Sequence, residues 1–234
     1  MKKQIFLVMF VAILCGVMTL SAQKPFAGRI QYETSIEGTD DPNLQAAQAG
    51  ITTEKIVMGN CVKEVVNQSG IGGISITNGD YNIVYYILDI SAYNMGKYYK
   101  ETKGEELQKQ LAASKCDYEY TNETKDVAGY KCTKVVATIT DLESDEESTA
   151  VYWVTNDLNV GPNINFAEFP GLKGFPLVIE KQSEYNGVSF TVVQTATLVK
   201  ADKKIKATEF FRPSDAVTFD EMSPELKAQL GMTE

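Results

Sequence analysis

The feature that most constrains this chain is hydrophobicity that alternates with a period of two, stretch after stretch, from residue 29 to residue 211. A β-strand points successive side chains to opposite faces, so alternation predicts a strand with one buried side. Ile30, Tyr32 and Ile36 fall on one face of the first such stretch; Arg29, Gln31, Glu33 and Ser35 fall on the other. A second strand is expected over 54–66. A third, over 81–88, is apolar on both faces and must be covered on both. Asn78-Gly79-Asp80 before it is a hairpin turn signal. Further strands read over 118–124, 129–140, 149–155, 175–184, 188–200 and 205–211. In the longest of these, Val188, Phe190, Val192, Ala196 and Leu198 share one face, and Thr191, Thr195 and Thr197 share the other.

Helices are few and short in this pattern. Asp41-Pro42 supplies an N-cap and a proline at the first helical position, predicting a helix over 43–49 stopped by Gly50. Thr102-Lys103-Gly104-Glu105 fits a capping box, opening a helix to Lys115 with Leu107 and Leu111 facing the sheet. Ser223-Pro224 opens a third, with Leu226 and Leu230 inward and Gly231 as the stop. Strands in hairpin order with a few helices predict a mainly β, α+β architecture: one antiparallel sheet with helices on one face. A sheet apolar over so many strands must curve around something or be covered.

The first residues set the compartment. Lys2 and Lys3, an apolar run over 5–20 and Ser21-Ala22-Gln23 read as a secretion signal cleaved after Ala22. The run is shorter than the about 20 apolar residues of a spanning helix. Cys15 sits inside it after the large Leu14, where a lipobox wants a small residue, so it reads as part of the signal core and not as a lipid anchor. The expectation is a signal peptide over 1–22 and a single soluble, periplasmic domain over 23–234. Removing Lys2 and Lys3 takes the formal charge from −9 to −11. The only arginines are Arg29 and Arg212, and the lysines are dispersed. The sequence shows no basic face for nucleic acid phosphates or anionic lipid headgroups.

Three cysteines remain after processing: Cys61, Cys116 and Cys132. An exported setting permits disulfides. Cys116 and Cys132 flank an expected hairpin and form the best-placed pair, which leaves Cys61 as a buried, inert thiol.

The chain has no histidine, so Ser-His-Asp and Cys-His catalysis and histidine-ligated zinc sites are excluded. The cysteines lack metal-ligand spacing, and neither metal nor cofactor is expected. Asp141, Glu143, Asp145 and Glu147 alternate like the start of a calcium loop, but Glu146 stands where glycine is needed and Tyr152 where the bidentate glutamate belongs. A solvated hairpin tip is the better reading. Gly70, Gly72 and Gly73 do not match a phosphate-binding pattern and suggest a flexible loop or a mobile flap. Glu33, Glu37, Glu180 and Glu184 are candidates for a carboxylate-dependent glycoside hydrolase, though no pair is singled out. The chain is therefore expected not to be an enzyme.

Aromatic residues are more informative. Tyr81, Tyr85, Tyr86, Tyr93, Tyr98 and Tyr99 cluster in sequence, and Trp153, Phe166, Phe169 and Phe175 gather later. They form either ordinary core or the lining of an apolar ligand cavity. For the cavity the candidates are Tyr85, Tyr86, Trp153, Phe166, Phe169 and Phe175. Residues 169–176, rich in glycine and proline, make either a rigid turn into the strand from Phe175 or a rim or lid over the sheet.

Several of these segments carry a resemblance. Phe26-Ala27-Gly28-Arg29-Ile30-Gln31-Tyr32, Ala128-Gly129-Tyr130-Lys131-Cys132, Tyr152-Trp153-Val154-Thr155 and Gly174-Phe175-Pro176-Leu177 together resemble an uncharacterised family of exported proteins. That family is similar to the periplasmic lipoprotein carriers LolA and LolB. The GLPGLI family of exported proteins shares a comparable loop. The resemblance spans residues 26–211. It implies a strongly curved antiparallel sheet, an unclosed half-barrel whose concave face is capped by short helices. In LolA the cavity holds acyl chains of a lipoprotein, and the lid is latched by an arginine on an inner strand. Here the second strand offers Lys63 instead, and Arg29 alternates with the apolar face. The implied function is a soluble periplasmic binding or carrier protein for a lipid or lipoprotein acyl chain. The alternative is an envelope protein–protein interaction module without a small ligand.

Overall fold

A computed structural model describes residues 24–48 and 50–230. The expected signal over 1–22, with Cys15, and the helix stop at Gly231 lie outside the described residues. The strands are β1 (Ala27–Glu37), β2 (Thr52–Met58), β3 (Cys61–Gln68), β4 (Ile71–Asn78), β5 (Ile83–Asp89), β6 (Lys97–Lys103), β7 (Ser114–Val127), β8 (Tyr130–Asp141), β9 (Glu147–Thr155), β10 (Phe175–Tyr185), β11 (Val188–Ala201) and β12 (Val217–Thr218). Helix α1 (Pro42–Gln48) follows β1, α2 (Gly104–Leu111) follows β6, and α3 (Pro224–Gln229) follows β12. All twelve strands form one sheet in the order β12-β6-β5-β4-β3-β2-β1-β11-β10-β9-β8-β7. Every pairing is antiparallel except the short β12, which runs parallel to β6. The sheet is open, with β12 and β7 as its edges. Two meanders, β2 to β6 and β7 to β11, meet where β1 pairs with both β2 and β11.

The turns explain several departures from the alternation. The single strand expected over 54–66 is two, because Gly59, at φ +60°, turns the chain between β2 and β3. A two-residue hairpin with positive φ at its first position takes glycine there. Ser69 and Gly70, both at positive φ, make the next turn, and Gly72 and Gly73 lie inside β4, so the glycine-rich stretch is a hairpin and not a flap. The β1–β11 register shifts between Gln31 and Tyr32 of β1, so Thr197 of β11 has no register partner. This bulge turns Leu198 outward, to 45 % exposure, in place of the core position that strict alternation gave it.

The register also rules on the cysteines. Cys116 lies opposite Ile139, whereas Cys132 lies opposite Lys125. Seven strand positions on β8 separate the two places, about 23 Å at the usual rise, and a disulfide needs Cα atoms within about 7 Å. The expected Cys116–Cys132 bridge does not form; Cys61, Cys116 and Cys132 are all free thiols.

Helix α2 starts at Gly104 because β6 stays paired with β5 as far as Lys103. Thr102 is therefore a buried strand residue and not the cap of a capping box, and the helix ends at Leu111 with Leu107 buried. Ser223 caps α3 as expected, accepting from the Leu226 N–H, but Leu226 is only half-buried and Leu230, beyond this short helix, is exposed.

Two irregular segments cover the sheet, one on each face. On the first face, residues 156–174 pack Leu158 and Ile164 with Ile30, Val57 and Val62, and Phe169 and Leu172 with Val135, Ala137, Tyr152 and Ile179. On the second, the C-terminal segment packs Ile205 and Phe210 with Ile56, Ile76, Tyr85 and Ile87. The strand expected over 205–211 is instead a 3-10 turn, Ala207–Phe210, flanked by irregular chain. Both arginines hold this segment. Arg29 reaches Glu54 at 3.0 Å, Asp202 at 3.3 Å and Glu209 at 3.7 Å, and the Arg212 guanidinium lies 4.9 Å from the Tyr99 ring centroid. No helix among the described residues is long and apolar enough to cross a membrane.

Candidate functional site

The connection between β9 and β10, residues 156–174, has no regular element. Connections that long inside a compact domain are uncommon and usually functional. Its first part is fixed to the sheet by hydrogen bonds. Phe26 N–H donates to Asn159 O at 2.7 Å and Gly161 N–H to Gly59 O at 2.8 Å. Asn163 receives the β2–β3 turn through its N–H, which donates to Asn60 Oδ1 at 2.9 Å, and its Nδ2 donates to Gly79 O at 2.8 Å. Gly161 is required here, because a Cβ would fall 2.8 Å from Asn60 N.

The second part, residues 165–174, is closed at its neck by one side chain. Buried Asn165 donates through Nδ2 to Leu172 O at 2.9 Å and Gly174 O at 2.7 Å. Short surface loops with adjoining ends are frequently functional. Gly171 and Gly174, both at positive φ, let the chain reverse. Phe169 and Leu172 point inward, and the Phe169 ring meets Tyr152 edge-on at 5.1 Å between centroids. Lys173 N–H donates to the Tyr120 hydroxyl at 2.6 Å.

A buried cation ties this loop to the sheet. Lys55 on β2 is 2 % exposed. Its Nζ lies 2.8 Å from Glu64 Oε2 on β3, and 3.1 and 3.0 Å from the two carboxylate oxygens of Glu168 in the loop. The same ammonium stands 5.5 Å from the Phe169 ring centroid and 5.8 Å from that of Tyr32. Burial drives the Lys55 pKa down, but Glu168 and Glu64 outweigh it and hold the pKa above its ordinary value, so the ammonium stays charged. Tyr32 donates its hydroxyl proton to Pro176 O at 2.9 Å; burial raises its pKa, with Lys55 opposing. A cleft of about 590 Å³ lies within the connection itself, lined by Asn156, Leu158, Gly161, Phe166, Pro170 and Lys173 among others.

The six aromatic candidates do not converge on one place. Phe169 and Phe175 are buried core, and Phe166 is half-buried at the cleft of the connection. Tyr85 lies under the C-terminal segment on the second face. Tyr86, its neighbour, is half-exposed on the first face. Trp153 points away from Tyr152; its Nε1 donates to Glu180 at 3.0 Å, and Lys125 Nζ stands 4.1 Å from its ring centroid. The cation that holds the loop is Lys55, while Lys63, opposite Ile56 and Ile76, lies on the second face and Arg29 serves the C-terminal segment. The sequence carries no local sign of this, since Glu168 is 113 residues from Lys55. Asp141 accepts from the N–H groups of Glu143 and Ser144, which hold its pKa below the ordinary carboxylate value and shape a hairpin tip.

No protein-family model matches the sequence, and no curated protein matches it. Among solved structures the chain is distantly similar to MucB, at 14 % identity over 82 % of this chain and 58 % of that one, with a TM-score of 0.28. It is similar also to a DUF1329 family protein from Desulfovibrio piger ATCC 29098, at 10 % identity over 82 % of this chain and 92 % of that one, with a TM-score of 0.21. The chain thus spans little more than half the length of the MucB chain it matches.

Proposed function

We propose that this protein is an exported, soluble binding or carrier protein for an apolar ligand such as a lipid or an acyl chain, and not an enzyme. In this reading the open sheet works as a half-barrel, and residues 165–174 are its lid. The observation that carries the reading is the fully charged Lys55, buried between Glu64 of the sheet and Glu168 of the loop. A buried ion pair stabilises a fold less than apolar packing of the same volume does. It suits a contact that must hold in one state and separate in another. Beneath it Phe169 and Leu172 fill an apolar floor of Val135, Ala137, Tyr152 and Ile179. An alkyl chain that displaced them would gain about 0.8 kcal/mol per buried methylene. Docking of another protein through the loop's hydrophobes fits less well, since Phe169, Leu172 and Phe175 face inward.

The test is mass spectrometry of organic extracts from natively purified protein, beside uptake of an apolar fluorescent probe by wild type and Phe169→Ala. Recovered lipid and greater uptake by the variant are expected. Repeated absence of lipid together with no uptake by either protein overturns the reading.

A further inference from the structure

The first face is not covered throughout. Beyond Glu64, over β3 to β5, it lies open along a trough. Cross-strand pairing sets Val66, Gly73 and Leu88 in one row and Glu64, Ser75 and Tyr86 in the next. Phe219 closes the side toward β12, and the space amounts to about 280 Å³. It continues past Val66 and Gly73 to Ile71, with about 300 Å³ more. Tyr86 and Ile71, 50 % and 42 % exposed, leave large apolar surfaces at either end.

The floor is β4, and its middle residue is a glycine that nothing in the chain itself requires. Gly73 has no positive φ, and a Cβ there would meet no atom nearer than Val66 O at 3.9 Å. Its neighbour Gly72 is different: a Cβ would come within 3.2 Å of Asn67 Oδ1 and of Asp89 Cβ. Glycine in a strand costs about 0.5–1 kcal/mol relative to alanine, and an unexplained one marks close approach of a ligand or another backbone. Val66 and Leu88 stand on strands two spacings apart, about 9–10 Å, before their side chains narrow the gap. A helix, about 10–12 Å across, does not enter; an extended alkyl chain does. From Ser75 to Ile71 the floor runs about 13 Å.

The charge at the Ser75 end selects the head group. Lys55 is shared by Glu64 and Glu168, two carboxylates to one ammonium. Past Tyr86, Lys100 is already paired with Glu106 at 3.0 Å. Lys55, Glu64, Glu168, Lys100 and Glu106 together carry a net charge of −1, and Glu64 itself lines the trough.

We propose that the trough over Gly73 binds one unbranched alkyl chain with a cationic head, the head at Glu64 and the tail running over Gly73 to Ile71. This site goes beyond the lid and does not need the lid to move. Calorimetric titration of the mature protein with decylammonium, decanol and decanoate, each below its micelle concentration, tests it. Saturable one-to-one binding in the order decylammonium, decanol, decanoate is expected. Gly73→Val, which favours the strand but fills the floor, should weaken decylammonium about tenfold, the loss of about two buried methylenes. Tyr86→Ala, at a half-exposed position, should weaken it severalfold, and Leu142→Ala, at the exposed β8–β9 hairpin tip, should leave it unchanged. Undiminished binding by both Gly73→Val and Tyr86→Ala overturns the site. Equal affinity for decanoate and decylammonium overturns the assignment of the head group. Either result leaves the lid reading standing, since that is tested by lipid recovery and by Phe169→Ala.

Discussion

Lys55 concentrates the question of stability against function in one residue. Removing a buried ion while its partners remain costs more than removing the whole group. Lys55→Met leaves Glu64 and Glu168 facing each other without a cation and should cost about 3–5 kcal/mol in urea unfolding. Glu168→Gln leaves Lys55 with Glu64, and since Glu168 is 41 % exposed the cost should be about 1–2 kcal/mol. The combination of Lys55→Met, Glu64→Gln and Glu168→Gln should recover most of the loss. A Lys55→Met protein more stable than Glu168→Gln would show that the cation is not the hub. The thiols give a second residue-scale outcome. Burial pushes both Cys61 and Cys132 up to about 11 from an ordinary 9.0. The folded chain then holds protons that the unfolded chain releases, so their contribution is whole below pH 9 and is lost as pH rises from 9 to 11. Alkylation at pH 8.5 should reach half-buried Cys116 first and spare Cys61 and Cys132 until unfolding. Equal rates for all three would contradict the packing.

At the scale of elements, the lid differs from the strands it covers. Residues 159–163 are fastened to two hairpin turns, while residues 165–174 are held by Asn165, Lys55, the hydrogen bond from Lys173 to Tyr120 and packing. Local opening free energies range from near zero to the global value. Hydrogen exchange should therefore show the Phe169, Leu172 and Lys173 amides opening well below the free energy of β9 amides such as Tyr152. Exchange of all four only through global unfolding would mean that the lid does not move in the folded protein. Much at this scale was legible in the sequence. Alternation locates β1 and β8 to β11, an apolar run locates β5, Asn78-Gly79 marks the β4–β5 turn, and Ser223-Pro224 marks α3. The glycine- and proline-rich segment before Phe175 stood out as a turn or lid. Nothing announces the turn at Gly59, because apolar residues stand close on both sides of it and the period does not change there. Residues 205–211 resembled a strand, but no partner edge is free there and the chain turns instead.

Across the whole molecule, what sequence could not convey was register and distance. Cys116 and Cys132 share a hairpin yet lie far apart along it, and the partners of Lys55 come from separate parts of the chain. The same holds for the second face, whose cover is the last part of the chain. Arg29, on the first strand, holds Asp202 and Glu209; Asn78 Nδ2 donates to Phe210 O at 3.2 Å; and the Phe210 side chain is fully buried against Ile56, Ile76 and Tyr85. The C-terminal segment is thus part of the core although it contributes only two residues to the sheet. Phe210→Ala should cost about 3–5 kcal/mol, as for a phenyl ring removed from a closed interior. Arg29→Leu should cost about 1 kcal/mol, because that arginine is part-exposed. The two act on one strap, so the double variant should depart from additivity by at least about 0.5 kcal/mol. Urea unfolding followed by the fluorescence of Trp153, which lies in the other meander, reads both. A single coincident transition for wild type and variants is expected if the two meanders unfold together. Loss of the C-terminal cover while the Trp153 transition stays at the wild-type midpoint would instead divide the sheet into two units joined only at β1 and β11.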